Sequence, residues 1–157
     1  MNELAIQVCK DVLSRLSNLQ FAQERYFSRR FSDDITRLTE DWVENNCKVC
    51  LLGSLFLSFS RLAKKPSLRN VIKDQIEGYG SRSDLSNELT TIFDADELAL
   101  MECLFEGQDI FDILSYDDQE KIKKLRTNPS FNPQLPEIVR YVCENVIRNN
   151  GHFILEE

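Results

Sequence analysis

Cys47-Lys48-Val49-Cys50-Leu51-Leu52-Gly53-Ser54-Leu55-Phe56-Leu57-Ser58-Phe59-Ser60-Arg61-Leu62-Ala63 is the most apolar stretch of this chain. On a 3.6-residue period, Ser54, Ser58 and Arg61 fall at i, i+4 and i+7 and make one narrow polar stripe. Nearly everything else in the stretch is apolar, and a helix apolar over most of its circumference belongs in the middle of a bundle. The run is interrupted at Gly53 and Ser54 and falls short of the ~20 apolar residues a membrane span needs. Glycine costs a helix about 1 kcal/mol relative to alanine. Gly53 therefore predicts the close approach of a neighbouring helix.

The segments on either side carry helical spacing too. Ala5, Val8, Cys9, Val12, Leu13 and Leu16 recur at three- and four-residue intervals and predict a helix over 2–17. A second helix is expected to begin near Ser32 to Asp34, with Ile35, Leu38 and Trp42 inward and Asn45-Asn46 as its stop. Pro66 closes the central helix, and Leu68, Val71, Ile72 and Ile76 mark a short one over 67–78. Beyond the break at Gly78 and Gly80, Asp84 is expected to cap a helix holding Leu85, Leu89 and Ile92. Asp94 with Glu97 reads as a capping box for Leu98, Met101, Leu104 and Phe105, stopped by Gly107. Ser115 or Asp117 caps the next helix, with Ile122 and Leu125 inward and Lys121, Lys123, Lys124 and Arg126 near its C-terminal end. Residues 128–135, with Pro129 and Pro133, form an extended connector. Pro136 opens a last helix whose inner face is Ile138, Val139, Val142, Cys143, Val146 and Ile147. A short apolar tail, 152–157, follows. Two-residue alternation is confined to Phe153-Ile154-Leu155 in that tail. The expected fold is all-α: one domain over 1–157, a bundle of six to eight helices around the segment at about 47–63.

Cys47-Lys48-Val49-Cys50-Leu51-Leu52-Gly53-Ser54-Leu55 is similar to the Cys-x-x-Gly-Ala/Ser-Leu helix of small uncharacterised helical proteins of bacteria and phages. That resemblance implies a helical core and nothing about mechanism.

Composition narrows the function classes. With 157 residues, 42% hydrophobic and 29% charged, the chain fits one ordinary globular domain. It opens without a cationic n-region and an apolar h-region, so no signal peptide is expected and a cytoplasmic location is. The five cysteines, four of them among apolar neighbours at helical spacing, are an odd count and read as reduced core residues. Cys47-x-x-Cys50 has no second cysteine pair to complete a zinc site, and the sequence shows no strand in a βαβ context as thiol redox chemistry would need. The calcium-loop pattern counted from Asp94 fails, because its sixth and twelfth positions hold Ala99 and Phe105. The single histidine, His152, supports neither a Ser-His nor a Cys-His pair, and Gly78 and Gly80 are not a phosphate loop. No cofactor and no catalytic residue are expected.

Charge is the remaining signal. Asp84, Glu88, Asp94, Asp96, Glu97, Glu102, Glu106, Asp109, Asp112, Asp117, Asp118 and Glu120 are twelve acids in the segment 84–120, which holds no lysine or arginine. The net charge is −7 over 26 acidic and 19 basic residues, so the rest of the chain carries 19 basic against 14 acidic groups. Acids near helix starts are stabilising in their own right, and a solvated acidic face is the plain alternative. Segregation this complete points to a basic partner. Arg25, Arg29, Arg30 and Arg37 interleave with Tyr26, Phe27 and Phe31, a composition that grips single strands. A pI of 4.8 is the wrong sign for a dedicated nucleic-acid binder.

The expected function is thus a non-enzymatic protein-binding or regulatory module, with an inhibitor of a nucleic-acid-binding protein as its narrowest form. Its contact set would be Asp94, Asp96, Glu97, Asp109, Phe111, Asp112, Tyr116, Asp117, Asp118 and Glu120. The alternatives are a metal-dependent enzyme using the clustered carboxylates and a structural homo-oligomer.

Overall fold

The computed structural model describes residues 2–29, 38–107 and 113–155. The expectations placed on Arg30, Phe31, Ser32 to Asp34, Ile35 and Arg37 fall outside these residues, as do those on Asp109, Phe111 and Asp112. Among the described residues the chain forms eight helices and one small sheet. The all-α architecture expected from the spacing is what the chain adopts.

The helices follow their capping chemistry. α1 (Glu3–Arg15) starts where the Asn2 side chain accepts the Ala5 N–H. α2 (Glu40–Asn46) starts where Thr39 accepts the Trp42 N–H. α3 (Leu51–Ala63) ends at Lys64 in the left-handed conformation, and Pro66 opens α4 (Pro66–Glu77). Gly78 (φ 80°) turns the chain out of α4. α5 (Arg82–Leu89) is capped by Ser81 rather than by Asp84, which instead sits three residues into the box and accepts the Ser81 N–H at 3.0 Å. α6 (Ala95–Glu106) opens on the expected Asp94–Glu97 capping box and stops at Gly107. α7 (Tyr116–Thr127) is capped by Ser115, and α8 (Leu135–Arg148) begins one residue before Pro136.

α3 is the hub. It packs against α1, α2, α4, α5 and α6. Leu51, Leu52, Leu55, Phe56 and Leu57 are fully buried in the one core. The expected polar stripe is itself interior: Ser54 and Ser58 are buried, and Ser54 Oγ returns its proton to the Leu51 carbonyl at 2.7 Å. Arg61 leaves the core edge to pair with Asp11 (3.4 Å) and Asp41 (3.3 Å).

The central segment is shorter than its apolar pattern predicts, because its first three residues are a strand. β1 (Gln20–Phe21), β2 (Phe27–Arg29) and β3 (Cys47–Val49) form a sheet in the order β1-β3-β2. β3 pairs parallel with β1 and antiparallel with β2. Cys47 and Val49 are buried and Lys48 is exposed, the alternation of a strand with one face inward. The Cys50 thiol then accepts the Gly53 N–H at 3.4 Å and caps α3. The second cysteine of the Cys-x-x-Cys pair is thus a helix cap.

Gly53 does permit a close approach, but the neighbour is not a helix. A Cβ at Gly53 would collide with the Tyr26 carbonyl oxygen and stand 3.0 Å from its carbon. That carbonyl is held in place by the Cys50 N–H at 3.2 Å. The sheet is pinned onto the first turn of α3 through the one residue that lacks a side chain.

All five cysteines are free and buried. Burial pushes the Cys50 thiol up to about 12. Cys143 is raised well above the ordinary range by its hydrogen bond with Cys9, which joins α8 to α1, and by burial. At pH 8 a thiol of pKa 12 is ionised only about once in 10⁴ molecules, and the thiolate is the reactive form. Because all five are buried, iodoacetamide at pH 8 should label none of the five in the folded protein and all five in denaturant. Mass spectrometry reads the difference, and a labelled Cys50 in the native state would contradict the burial.

Candidate functional site

Helix starts account for much of the acidic segment. In the Asp94–Glu97 box, Asp94 accepts an N–H of the first turn and Glu97 Oε2 accepts the Asp94 N–H at 3.0 Å. Ser115 accepts the Asp118 N–H at 3.2 Å, placing Asp117 and Asp118 in the first turn of α7. Carboxylates at these positions meet the positive end of a helix dipole.

The sequence-predicted contact residues then divide. Asp94, Asp96, Asp117 and Glu120 are exposed, and Asp118 is half-buried. Tyr116 is 74% exposed, and Ile113, three residues before it, is 58% exposed. Glu97 belongs elsewhere: it is 8% exposed, and both its oxygens are used inside the chain. While Oε2 closes the capping box, Oε1 accepts the buried Phe153 N–H at 2.5 Å and lies 3.4 Å from His152 Nδ1. Asn145, fully buried on α8, grips the next residue of the tail: it accepts the Ile154 N–H at 2.9 Å and donates to the Ile154 carbonyl at 2.7 Å. The tail that reads as an apolar appendage is latched by two polar side chains.

Asp94, Glu97 and His152 bring one ligand atom each within 4.8 Å of one another. The same carboxylates already accept backbone N–H groups, and they sit at the positive end of α6, where a cation is disfavoured. The capping and latching roles account for this cluster.

Basic compensation comes mostly from the margins of the acidic segment. Arg82, the last base before it, reaches Glu102 at 3.6 Å. Lys123 reaches Glu120 at 3.6 Å. Arg126 at the end of α7 donates to the Leu104 carbonyl, closing the C-terminal turn of α6.

A second site emerges where Arg82 lies. The loop before β2 brings Glu24 and Tyr26 against α5 and the second half of α6. Arg82 Nη1 donates to the Glu24 carbonyl at 3.1 Å, its guanidinium stands 5.2 Å from the centre of the Tyr26 ring, and Tyr26 Oη donates to the Arg82 carbonyl at 3.3 Å. Glu24 holds a left-handed backbone (φ 81°), rare for a non-glycine residue, and its N–H donates to Glu106 at 2.9 Å. Burial raises the Glu102 carboxyl, against the pull of Arg82. Burial also raises Glu106, with the Glu102 charge adding to it, although the Glu24 N–H opposes. Burial and then Glu102 raise the Tyr26 phenol. Perturbed groups gathered beside a cleft mark a functional-site candidate. The cleft, about 370 Å³, is lined by Glu24, Arg25, Tyr26, Phe27, the end of α4 from Gln75 to Gly78, and Arg82.

Comparison with protein-family models, with curated proteins and with solved structures returned no match. The chemistry of the two sites must be argued from their own residues.

Neither site presents a nucleophile paired with a base. Sequence reasoning missed the second because its parts lie far apart in the chain. The legible signal is local: Glu102 and Glu106 stand at i, i+4, on one face of a helix whose inner residues are apolar. No helix among the described residues is long and apolar enough to cross a membrane.

Proposed function

We propose that this chain is a non-enzymatic binding or regulatory module that engages a basic partner surface through the acidic starts of α6 and α7. The observation that carries this reading is the exposure of Ile113 and Tyr116 among those acids. Charge alone gives on-rate and selectivity, whereas affinity needs a few large side chains to bury, with tyrosine a common anchor. Here Tyr116 stands within about one turn of Asp117, Asp118 and Glu120, and Ile113 precedes it by three residues. Glu97, committed to the tail, is not part of the contact. The proposed contact comprises Asp94, Asp96, Tyr116, Asp117, Asp118 and Glu120, of which Asp118 is half-buried and the others are exposed. Asp109, Phe111 and Asp112 join it on the ground of sequence. An inhibitor that covers the basic groove of a nucleic-acid-binding protein is the narrowest form of this reading.

The test is affinity capture from host lysate with stepwise salt elution. Exposed charges are screened over about 8 Å at physiological ionic strength, so a basic protein should be released as salt rises. The variant Asp117→Asn/Asp118→Asn should lower capture at least about tenfold, and Tyr116→Ala should do the same at unchanged salt dependence. The asparagines forgo about 0.3–1 kcal/mol each at the dipole, so circular dichroism must show both variants folded. Capture unchanged in both variants would overturn the reading.

A further inference from the structure

A cavity between the end of α7, the connector and α8 lies outside both sites described above. It holds about 240 Å³ and is lined by Leu125, Phe131 and Tyr141 together with Glu137, Arg140 and Glu144. The Phe131 and Tyr141 rings meet edge to face, their centroids 6.1 Å apart and their planes at 86°. An edge-to-face pair leaves a notch with a ring face on each wall, and an aromatic face is the negative side of the ring quadrupole. Both side chains are half-buried: they pack on the core and also line the cavity. Local chemistry fixes the Phe131 wall before any ligand arrives. The connector repeats Asn-Pro at Asn128-Pro129 and Asn132-Pro133, and each proline fixes its own φ. Asn128 Oδ1 accepts the Ser130 N–H at 3.0 Å, and the Asn128 carbonyl accepts the Phe131 N–H at 3.0 Å. Asn132 Oδ1 accepts the Gln134 N–H at 3.0 Å, which leads the chain into α8.

We propose that this cavity binds the methylated ammonium group of a small organic cation. A cation over an aromatic face, within about 6 Å of the ring centre, is attracted by the ring quadrupole. Quaternary ammonium suits that attraction best, because it has no N–H groups that the rings would leave unsatisfied. The ionised lining agrees in sign. It carries two carboxylates, Glu137 and Glu144, against one guanidinium, Arg140, which lies 3.4 Å from Glu137. Glu137 also stands in the first turn of α8 and answers its positive end, whose field fades within that turn. Glu144, about two turns further on, sets its charge beside Tyr141. The size agrees as well. Sites for drug-sized ligands run to about 300–1,000 Å³, so a cavity of 240 Å³ takes one head group. The preformed connector keeps the ordering cost of binding low. The inference shares no residue with the α6–α7 contact and does not rest on it.

The test titrates choline into the whole ¹⁵N-labelled chain. The Phe131 and Tyr141 amide resonances should shift and saturate at about 1–10 mM. The neutral carbon isostere of choline, with a tert-butyl group in place of trimethylammonium, has the same shape and no charge. It should bind at least about tenfold more weakly. Phe131→Leu keeps an apolar wall but removes a ring face, and should weaken choline at least about fivefold. Glu144→Gln should weaken it about two- to fivefold and flatten its salt dependence. If Phe131→Leu does not fold, the comparison of choline with its isostere on the parent chain decides alone. Equal binding of those two probes, or shifts that never saturate, overturns the inference. An acetylated trimethyllysine amide that binds at least about tenfold more tightly than choline would overturn the free cation and assign the cavity to a modified side chain.

Discussion

Gly53→Ala should lower the stability of the protein by roughly 3 kcal/mol, although alanine is the better helix former by about 1 kcal/mol. The new methyl group would meet the Tyr26 carbonyl oxygen, with the carbonyl carbon 3.0 Å away. This is backbone and not the end of a flexible side chain. Relief requires either the first turn of α3 to rise from the sheet, uncovering Leu51, Leu52 and Leu55, or the Tyr26 carbonyl to leave the Cys50 N–H. Both options break core structure, and overpacking of this kind costs about 1–3 kcal/mol or more. For a chain of this size each kcal/mol moves the melting temperature by about 2–4 °C. A loss near 10 °C is therefore expected in a calorimetric melt. A variant that melts at or above the parent would mean that the contact is not formed. Gly78→Ala serves as the control, since a Cβ there meets nothing within 4 Å and only the left-handed backbone is strained.

Glu97→Ala should cost roughly 2–4 kcal/mol and loosen the tail. Two deficits add. The Asp94 N–H loses its capping-box acceptor, worth about 0.5–2 kcal/mol at a helix start. The Phe153 N–H, in the core, loses its only charged acceptor, and a buried unsatisfied donor costs about 1–3 kcal/mol. Hydrogen exchange should report the second deficit directly, with the Phe153 amide exchanging faster than in the parent protein at equal global stability. Asp96→Ala, one residue earlier and exposed, should stay within about 1 kcal/mol. Equal effects at both positions would remove the distinction between an exposed acid and an interior one.

That distinction marks the limit of what spacing reveals. Caps, breaks and inner faces of helices are local properties, and Asp94, Gly107, Ser115 and Pro136 announce theirs within a turn. The apolar run around Leu55 likewise declares a central helix, because only a fully surrounded helix can be apolar on nearly every side. β1 and β2 leave no comparable mark: two or three residues are too few to establish alternation, and their pairing partner is set by the tertiary fold. Cys47–Val49 does alternate, but three residues adjoining a long apolar run read as its continuation. Glu97 shows the same problem in charge. Its neighbours Asp96 and Asp94 are solvated, and nothing within several residues says that its carboxylate turns inward to a tail 56 residues away. The Tyr26–Arg82–Glu102 cluster combines three such long-range contacts, so its existence follows only once the loop before β2 is laid on α5 and α6.

The pairing of α1 with α8 sets a late step in the folding of this molecule. The two ends of the described chain meet: the Asn2 N–H bonds the Asn150 carbonyl, and Cys9 bonds Cys143 across the helix interface. Contacts separated by well over a hundred residues give a helical protein the slow, entropy-limited search more usual for sheets. The apolar face of α1 is shared between α3 and α8, so it stays partly uncovered until α8 has docked. A species in which α8 is undocked thus leaves part of the Val8, Val12 and Leu16 face open, and docking of α8 is the event that withdraws it from chaperones and proteases alike.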